Sequence, residues 1–273
     1  MINFALDWID YISLFLIIFV GIPHGAFDGA ISVTLGFTKN FYLKIRFIIT
    51  YLLVAFGVII LWYLLPVFTL FLFLLTSILH FGCGDLDWEK NNLYYFSGYA
   101  HGGLVVLGII FFNQDEVDYF FSILSGNQLS ILWQFLYLAI CGWILSVMLI
   151  LFNFKKIKVS NYYIKLLTLI ILIILVFPPL PAFAIYFCFI HSIHHINRIL
   201  PTLINFMEKQ KILYLMLIFS IFSWLGGGIA FYILSSLNTY TETIIKVTFI
   251  GLAALTFPHM ILVDGIFRSK FKV

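Results

Sequence analysis

The sequence predicts an all-α fold, a polytopic integral membrane helical bundle of about nine transmembrane helices, and three observations predict it. Hydrophobic residues make up 63% of the chain and charged residues only 10%, where a soluble domain carries about 25% charged residues. Apolar runs approaching the roughly 20 residues needed to cross a hydrocarbon core recur from Tyr11 to the C-terminal end. Basic residues collect in alternate connections between those runs, as short cytoplasmic loops require.

The first window, 11–31, reads as a span and not a cleaved signal. Asp7 and Asp10 stand where a basic leader region would be, and no A-x-A-like site follows. Windows 44–65 and 67–83 are separated only by Leu65-Pro66-Val67, where proline's missing N–H ends one helix and opens the next. The fourth window, 95–112, is followed by the acidic stretch NQDEVD (113–118), and 129–152 lies beyond it. Windows 162–178 and 181–200 meet at Phe177-Pro178-Pro179-Leu180-Pro181, and 212–235 and 243–266 complete the set. Eight helices is the lower count, and the two proline breaks are the weakest boundaries.

With the N-terminus outside, the inner connections hold Lys39, Lys44 and Arg46, then Lys90, then Lys155, Lys156, Lys158 and Lys165, then Arg198, Lys209 and Lys211. Arg268, Lys270 and Lys272 put the C-terminus in the cytoplasm, so 14 of the 15 basic residues are inside and Lys246 is the exception. This is the arrangement expected of a multi-pass protein of the cell (inner) membrane. No change of composition divides the chain, which reads as one integral domain over 1–273. Three cysteines, Cys83, Cys141 and Cys188, in or beside apolar segments argue against a disulfide framework. A net charge of +3 without a basic, aromatic-interleaved patch argues against nucleic acid as a partner. A faint internal echo links IPHGAFD (22–28) to FPHMILVD (257–264).

The chain has 7 histidines, three of them in HSIHH (191–195). His24 falls 13 residues after Tyr11, His80 13 after Val67, His191 and His195 10 and 14 after Pro181, and His259 16 after Thr243. At about 1.5 Å of rise per residue, these positions lie in one layer in the inner half of the bilayer, which His101 and His194 join. Ionisable groups at membrane depth are costly and face a bundle interior or polar cavity. Seven at one level point to a common centre rather than to scattered packing roles.

His191 and His195 stand at i and i+4 and share a helix face, so both reach one ion. His194 points about 100° away from its neighbour, as a packing residue or as a donor behind the ligands. A ligating imidazole usually gives its other N–H to a carboxylate. Asp28 follows His24 by four residues, Asp85 follows His80 by five and Asp264 follows His259 by five, so each is a candidate for that role or a marker of the water interface. Gly21, Gly25 and Gly29 form a small-residue row for close helix approach, Gly82 and Gly84 flank Cys83, and Pro23 and Pro258 each precede a histidine. The run Gly226-Gly227-Gly228 is either a packing notch or room for a substrate. Neutral nitrogen ligands without cysteine suit Fe(II), Zn, Cu or Ni, and a closed structural zinc site would ordinarily carry cysteine.

PHGAFDG (23–29), HFGCGD (80–85) and HSIHH (191–195) resemble the three histidine motifs of the Brp/Blh family, the bacteriorhodopsin-related β-carotene 15,15′-dioxygenases. Motif order, spacing, length and hydropathy resemble that family over essentially the whole chain. The resemblance implies an Fe(2+)-dependent enzyme that uses O2 to split the central double bond of β-carotene into two all-trans-retinal, with supply of the chromophore to a microbial rhodopsin. The family's iron-binding histidines fall on His24, His80, His191 and His195. The motifs leave His101, His194 and His259 without a role, and His259 stays a secondary candidate on depth alone. The protein's part in such a reaction is to position the polyene in a dry cavity.

Two other classes fit some of the residues. HSIHH also matches a histidine box of membrane di-iron desaturases and hydroxylases, which need about eight histidines in paired boxes, whereas His24, His80 and His101 are each single. A metal or proton transporter would place midplane acids and sites in both leaflets, whereas this chain has its histidines at one level and almost no acid in the outer half of its helices.

Overall fold

The computed structural model describes residues 6–85, 92–153 and 161–271. Among these it contains helices and no strand. The helices are α1 (Trp8–Leu35), α2 (Phe41–Leu64), α3 (Pro66–Gly84), α4 (Tyr94–Phe112), α5 (Gln114–Ser125), α6 (Leu129–Phe152), α7 (Asn161–Val176), α8 (179–204), α9 (Lys209–Leu234) and α10 (Tyr240–Phe271). Seven of them, α1, α2, α3, α4, α6, α9 and α10, are long and apolar enough to cross a membrane. The chain is therefore a polytopic helical membrane protein. Large apolar side chains such as Tyr63, Phe152 and Tyr232 stand more than 80% exposed, which suits lipid tails and would be an aggregation liability in water.

The remaining two expected spans are also helical. α7 has 16 residues among those described, and α8 is divided into Pro179–Ile185, a π-helical Tyr186–His191 and Ser192–Ile204. The expected proline break holds: α2 ends at Leu64, Leu65 leaves helical geometry at φ −137°, and Pro66 opens α3. One helix was not expected. The acidic stretch after α4 begins α5, whose Asp115 and Glu116 lie in the first turn, where the positive end of the helix dipole favours them. Val117, Phe120, Phe121 and Leu124 are buried along one side. Their i, i+3, i+4, i+7 spacing is the ordinary mark of an amphipathic helix. Lys90, Lys155, Lys156, Lys158 and Lys272, which contribute to the predicted charge alternation, lie outside the described residues.

The chain forms two compact units, the first from Met1–Ser13 and Val67–His191, the second from Leu14–Pro66 and Ser192–Val273. In the first, α3 and α4 touch backbone to backbone. A Cβ at Gly82 would overlap the Gly98 carbonyl, and one at Gly102 would overlap the Ile78 carbonyl. Small residues are what permit such an approach between membrane helices. On its other side α4 is tied to α6, where Trp143 Nε1–H donates to the Ala100 carbonyl at 2.9 Å and Tyr99 Oη–H to the Ala139 carbonyl at 3.1 Å. Trp133 Nε1–H likewise donates to Asp118 of α5 at 2.6 Å.

In the second unit, α2 packs along α10, and a core of Phe27, Ile31, Leu35, Ile199, Leu203, Leu262 and Phe267 joins α1, α8 and α10. α9 closes on α1 at Gly29, where an added Cβ would lie 2.7 Å from the Phe219 ring, and Trp224 Nε1–H donates to the Ile18 carbonyl at 2.9 Å. Of the expected glycine row, Gly29 sits at this close contact, whereas a Cβ at Gly25 would meet only His259 Nδ1 at 3.8 Å. Cβ atoms at Gly226 or Gly228 would meet nothing within 4 Å. Two helix ends of the unit are specified locally. Gly36, at φ +86°, ends α1 in the left-handed region that glycine reaches without cost, and Thr239 with Glu242 forms a capping box at the start of α10.

Three π-helical segments interrupt these helices: Ile17–Gly21 just before His24, Tyr186–His191, and Ile261–Phe267 just after His259. π-bulges gather at functional sites because the extra residue per turn re-aims the side chains around it.

Candidate functional site

The first unit builds its polar centre around the π segment of α8. His191, the last residue of that segment, is fully buried. Its Nδ1–H donates to Asp85 Oδ1 at 2.6 Å, and the Tyr186 hydroxyl donates to Asp85 Oδ2. One carboxylate thus takes both protons. A buried carboxylate requires such partners, because leaving it unpaired costs several kcal/mol (about 3–5 on removal of one partner). With its proton on Nδ1, His191 presents the Nε2 lone pair, the form that binds a metal. The His80 ring stands 4.9 Å from that of His191, and Phe81 and Phe187 cover His191 with ring centres at 4.6 and 5.9 Å. His101 is buried at 1% exposure and its ring lies 5.8 Å from Tyr163.

The second unit holds three imidazoles together. Ring centres of His24 and His195 are 5.4 Å apart, those of His24 and His259 5.6 Å, and those of His195 and His259 5.0 Å. All three are buried. His24 Nδ1–H donates to the Gly21 carbonyl at the end of the first π segment. His259 Nδ1–H donates to Asp28 Oδ1 at 2.8 Å, and the Tyr51 hydroxyl donates to Asp28 Oδ2 at 2.9 Å. His194 is only half-buried.

Two of the carboxylates bond histidines far along the chain. Asp28 accepts from His259, 231 residues later. Asp85, one residue beyond the end of α3, reaches His191, 106 residues later. Asp264 forms an i, i+4 ion pair with Arg268 at 3.0 Å. Tyr51 and Tyr186 were missed altogether. Nothing marks them among 15 tyrosines, since their role depends on which carboxylate they meet in space.

The donor chemistry fits a transition-metal ion. Buried imidazoles whose Nδ1–H is committed to a carboxylate or carbonyl are the usual form of histidine ligands. A ligand set of nitrogen suits Fe(II), Zn, Cu or Ni.

Comparison with known proteins places this chemistry. The model of the family described as Beta-carotene 15,15'-dioxygenase matches residues 15–267. A Beta-carotene 15,15'-dioxygenase from an uncultured marine bacterium, 66A03, is 39% identical over 269 residues, covering 97% of this chain and 98% of that protein. No solved structure matches. Since the match takes in every histidine motif and both units, the chain belongs to the β-carotene 15,15'-dioxygenase family.

Proposed function

We propose that the chain is an Fe(2+)-dependent β-carotene 15,15′-dioxygenase whose ion is held by His24, His80, His191 and His195. Family membership carries the reaction: the central double bond of β-carotene is cleaved with O2 to give two all-trans-retinal, each new aldehyde carbon taking one oxygen atom. The observation that carries the metal reading is the orientation of the imidazoles, with Nδ1–H of His191 on Asp85 and Nδ1–H of His24 on the Gly21 carbonyl. Both are thereby fixed with Nε2 as the ligand atom. Bound iron supplies the activation of oxygen. The residues of the chain hold the ligands, keep them neutral on Nε2 and exclude water. Phe81 and Phe187 around His191 supply part of that exclusion. An apolar polyene offers no group that needs a general acid or base, which agrees with carboxylates turned toward histidines and not toward a substrate.

The same reading gives nine crossings of the cell (inner) membrane, N-terminus outside and C-terminus in the cytoplasm, with the lipid bilayer as the route of supply for β-carotene and retinal delivered to a microbial rhodopsin. The family model's span of 15–267 supports treating 1–273 as one catalytic domain. Cells that make β-carotene provide the test. With the chain expressed they lose orange pigment and accumulate retinal. His191→Ala, recovered in the membrane fraction, loses both bound iron and retinal production. Full retinal output from that variant overturns the assignment.

A further inference from the structure

Two strings of the same chemistry recur in the molecule, one in each unit. In the first, Tyr186 donates to Asp85, which accepts Nδ1–H of His191. In the second, Tyr51 donates to Asp28, which accepts Nδ1–H of His259. In both strings the histidine takes Oδ1 and the tyrosine Oδ2, and the carboxylates are 6% and 0% exposed. In both, the carboxylate lies a few residues after the histidine of its own motif, His80 or His24, and serves a histidine far along the chain. A π segment adjoins each served histidine, ending at His191 and beginning two residues after His259.

By this correspondence the counterpart of His191 in the second unit is His259, a residue that no motif of the sequence marks as a ligand. We propose that His259 is a further imidazole of the iron site, held with Nε2 toward the metal by Tyr51 and Asp28 as His191 is held by Tyr186 and Asp85. The proposal rests on the four-histidine reading above and adds a fifth nitrogen to it. Its ring stands at 5.6 and 5.0 Å from those of His24 and His195. Imidazoles on one ion, with metal–nitrogen bonds of about 2.1 Å, bring ring centres to roughly that separation. A purely structural His259–Asp28 pair, locking α10 to α1, would need neither the tyrosine hydroxyl on the second carboxylate oxygen nor two further imidazoles against its ring. Outer-sphere partners of ligating histidines carry about 10- to 100-fold in metal affinity, so Asp28 should carry such a factor through His259.

The experiment uses the full chain in detergent, with Fe(II) alone titrated against a competing chelator, and the visible absorption of the Co(II)-loaded protein as a reporter of coordination. The expected result is that His259→Ala weakens Fe(II) binding at least 10-fold and changes the Co(II) spectrum while its thermal midpoint stays measurable. Asp28→Asn weakens binding about 10- to 100-fold. Fe(II) affinity within threefold of wild type and an unchanged Co(II) spectrum in His259→Ala, with binding lost from His191→Ala, overturn the role of His259 alone. Affinity retained by both His259→Ala and His191→Ala overturns the four-histidine reading and this proposal with it. If His259→Ala does not fold, Asp28→Asn decides, and wild-type affinity in that variant overturns the proposal.

Discussion

Asp85 is a buried carboxylate bonded to Tyr186 and His191, and its chemistry sets what each substitution does. Asp85→Asn keeps the shape and still accepts one hydrogen bond, but a neutral amide holds His191 Nδ1–H less strongly than a carboxylate does. Iron affinity should fall about 10- to 100-fold, measured by chelator competition, with the protein still folded. Asp85→Ala leaves Tyr186 and His191 facing an empty site and should cost about 3–5 kcal/mol in stability, so the asparagine variant is the informative one. An affinity for iron unchanged in Asp85→Asn would mean that the carboxylate orients nothing. Sequence spacing singled out Asp28 and Asp85 but not the groups they bond in space, His259 and Tyr51 for the one and His191 and Tyr186 for the other. The reason is physical: spacing along one helix says nothing of partners on other helices, and His259 and His191 lie 231 and 106 residues further along the chain.

At the scale of elements, the helices were legible because each long apolar run must satisfy its own backbone in lipid, and because Pro66 and the 177–181 prolines punctuate the runs. The π segments were not legible, since one extra residue per turn leaves no periodic trace in runs that are apolar all round. α5 was legible and overlooked, its apolar spacing hidden behind the acids of its first turn. Helix contacts that depend on single glycines give a direct test. Gly102→Ala drives a methyl into the Ile78 carbonyl, a backbone atom that cannot swing aside. Overpacking of this kind costs about 1–3 kcal/mol or more, so the thermal midpoint in detergent should drop. Gly226→Ala meets open space in α9 and relieves glycine's helix penalty of about 1 kcal/mol, so its midpoint should match or exceed wild type. Equal behaviour of the two variants would refute the backbone contact between α3 and α4.

At the scale of the whole molecule, the chain alternates between its units, crossing from one to the other near residues 13, 66 and 191. The last of these crossings falls inside HSIHH, so His191 and His195, four residues apart, belong to different units. This gives the stretch around α7 and α8 particular weight, because those are the two expected spans that are not among the seven helices long and apolar enough to cross a membrane. Seven crossings and nine crossings agree at both termini and at every long helix, since removing α7 and α8 together restores the same alternation. They disagree at one place. With nine crossings the turn at residues 177–181 is outside; with seven, it never leaves the cytoplasmic side. Phe177 is 39% exposed and suits a single-cysteine probe once Cys83, Cys141 and Cys188 are replaced. In spheroplasts a membrane-impermeant maleimide should label Phe177→Cys and Asn127→Cys, and should reach Asn205→Cys only after lysis. Protection of Phe177→Cys until lysis, with Asn127→Cys labelled from outside, would remove α7 and α8 as crossings. Lys165 and Arg198 stay on the cytoplasmic side in either case; the first outcome is favoured by the turn between them, Phe177-Pro178-Pro179-Leu180-Pro181, which carries none of the basic residues that mark short cytoplasmic connections.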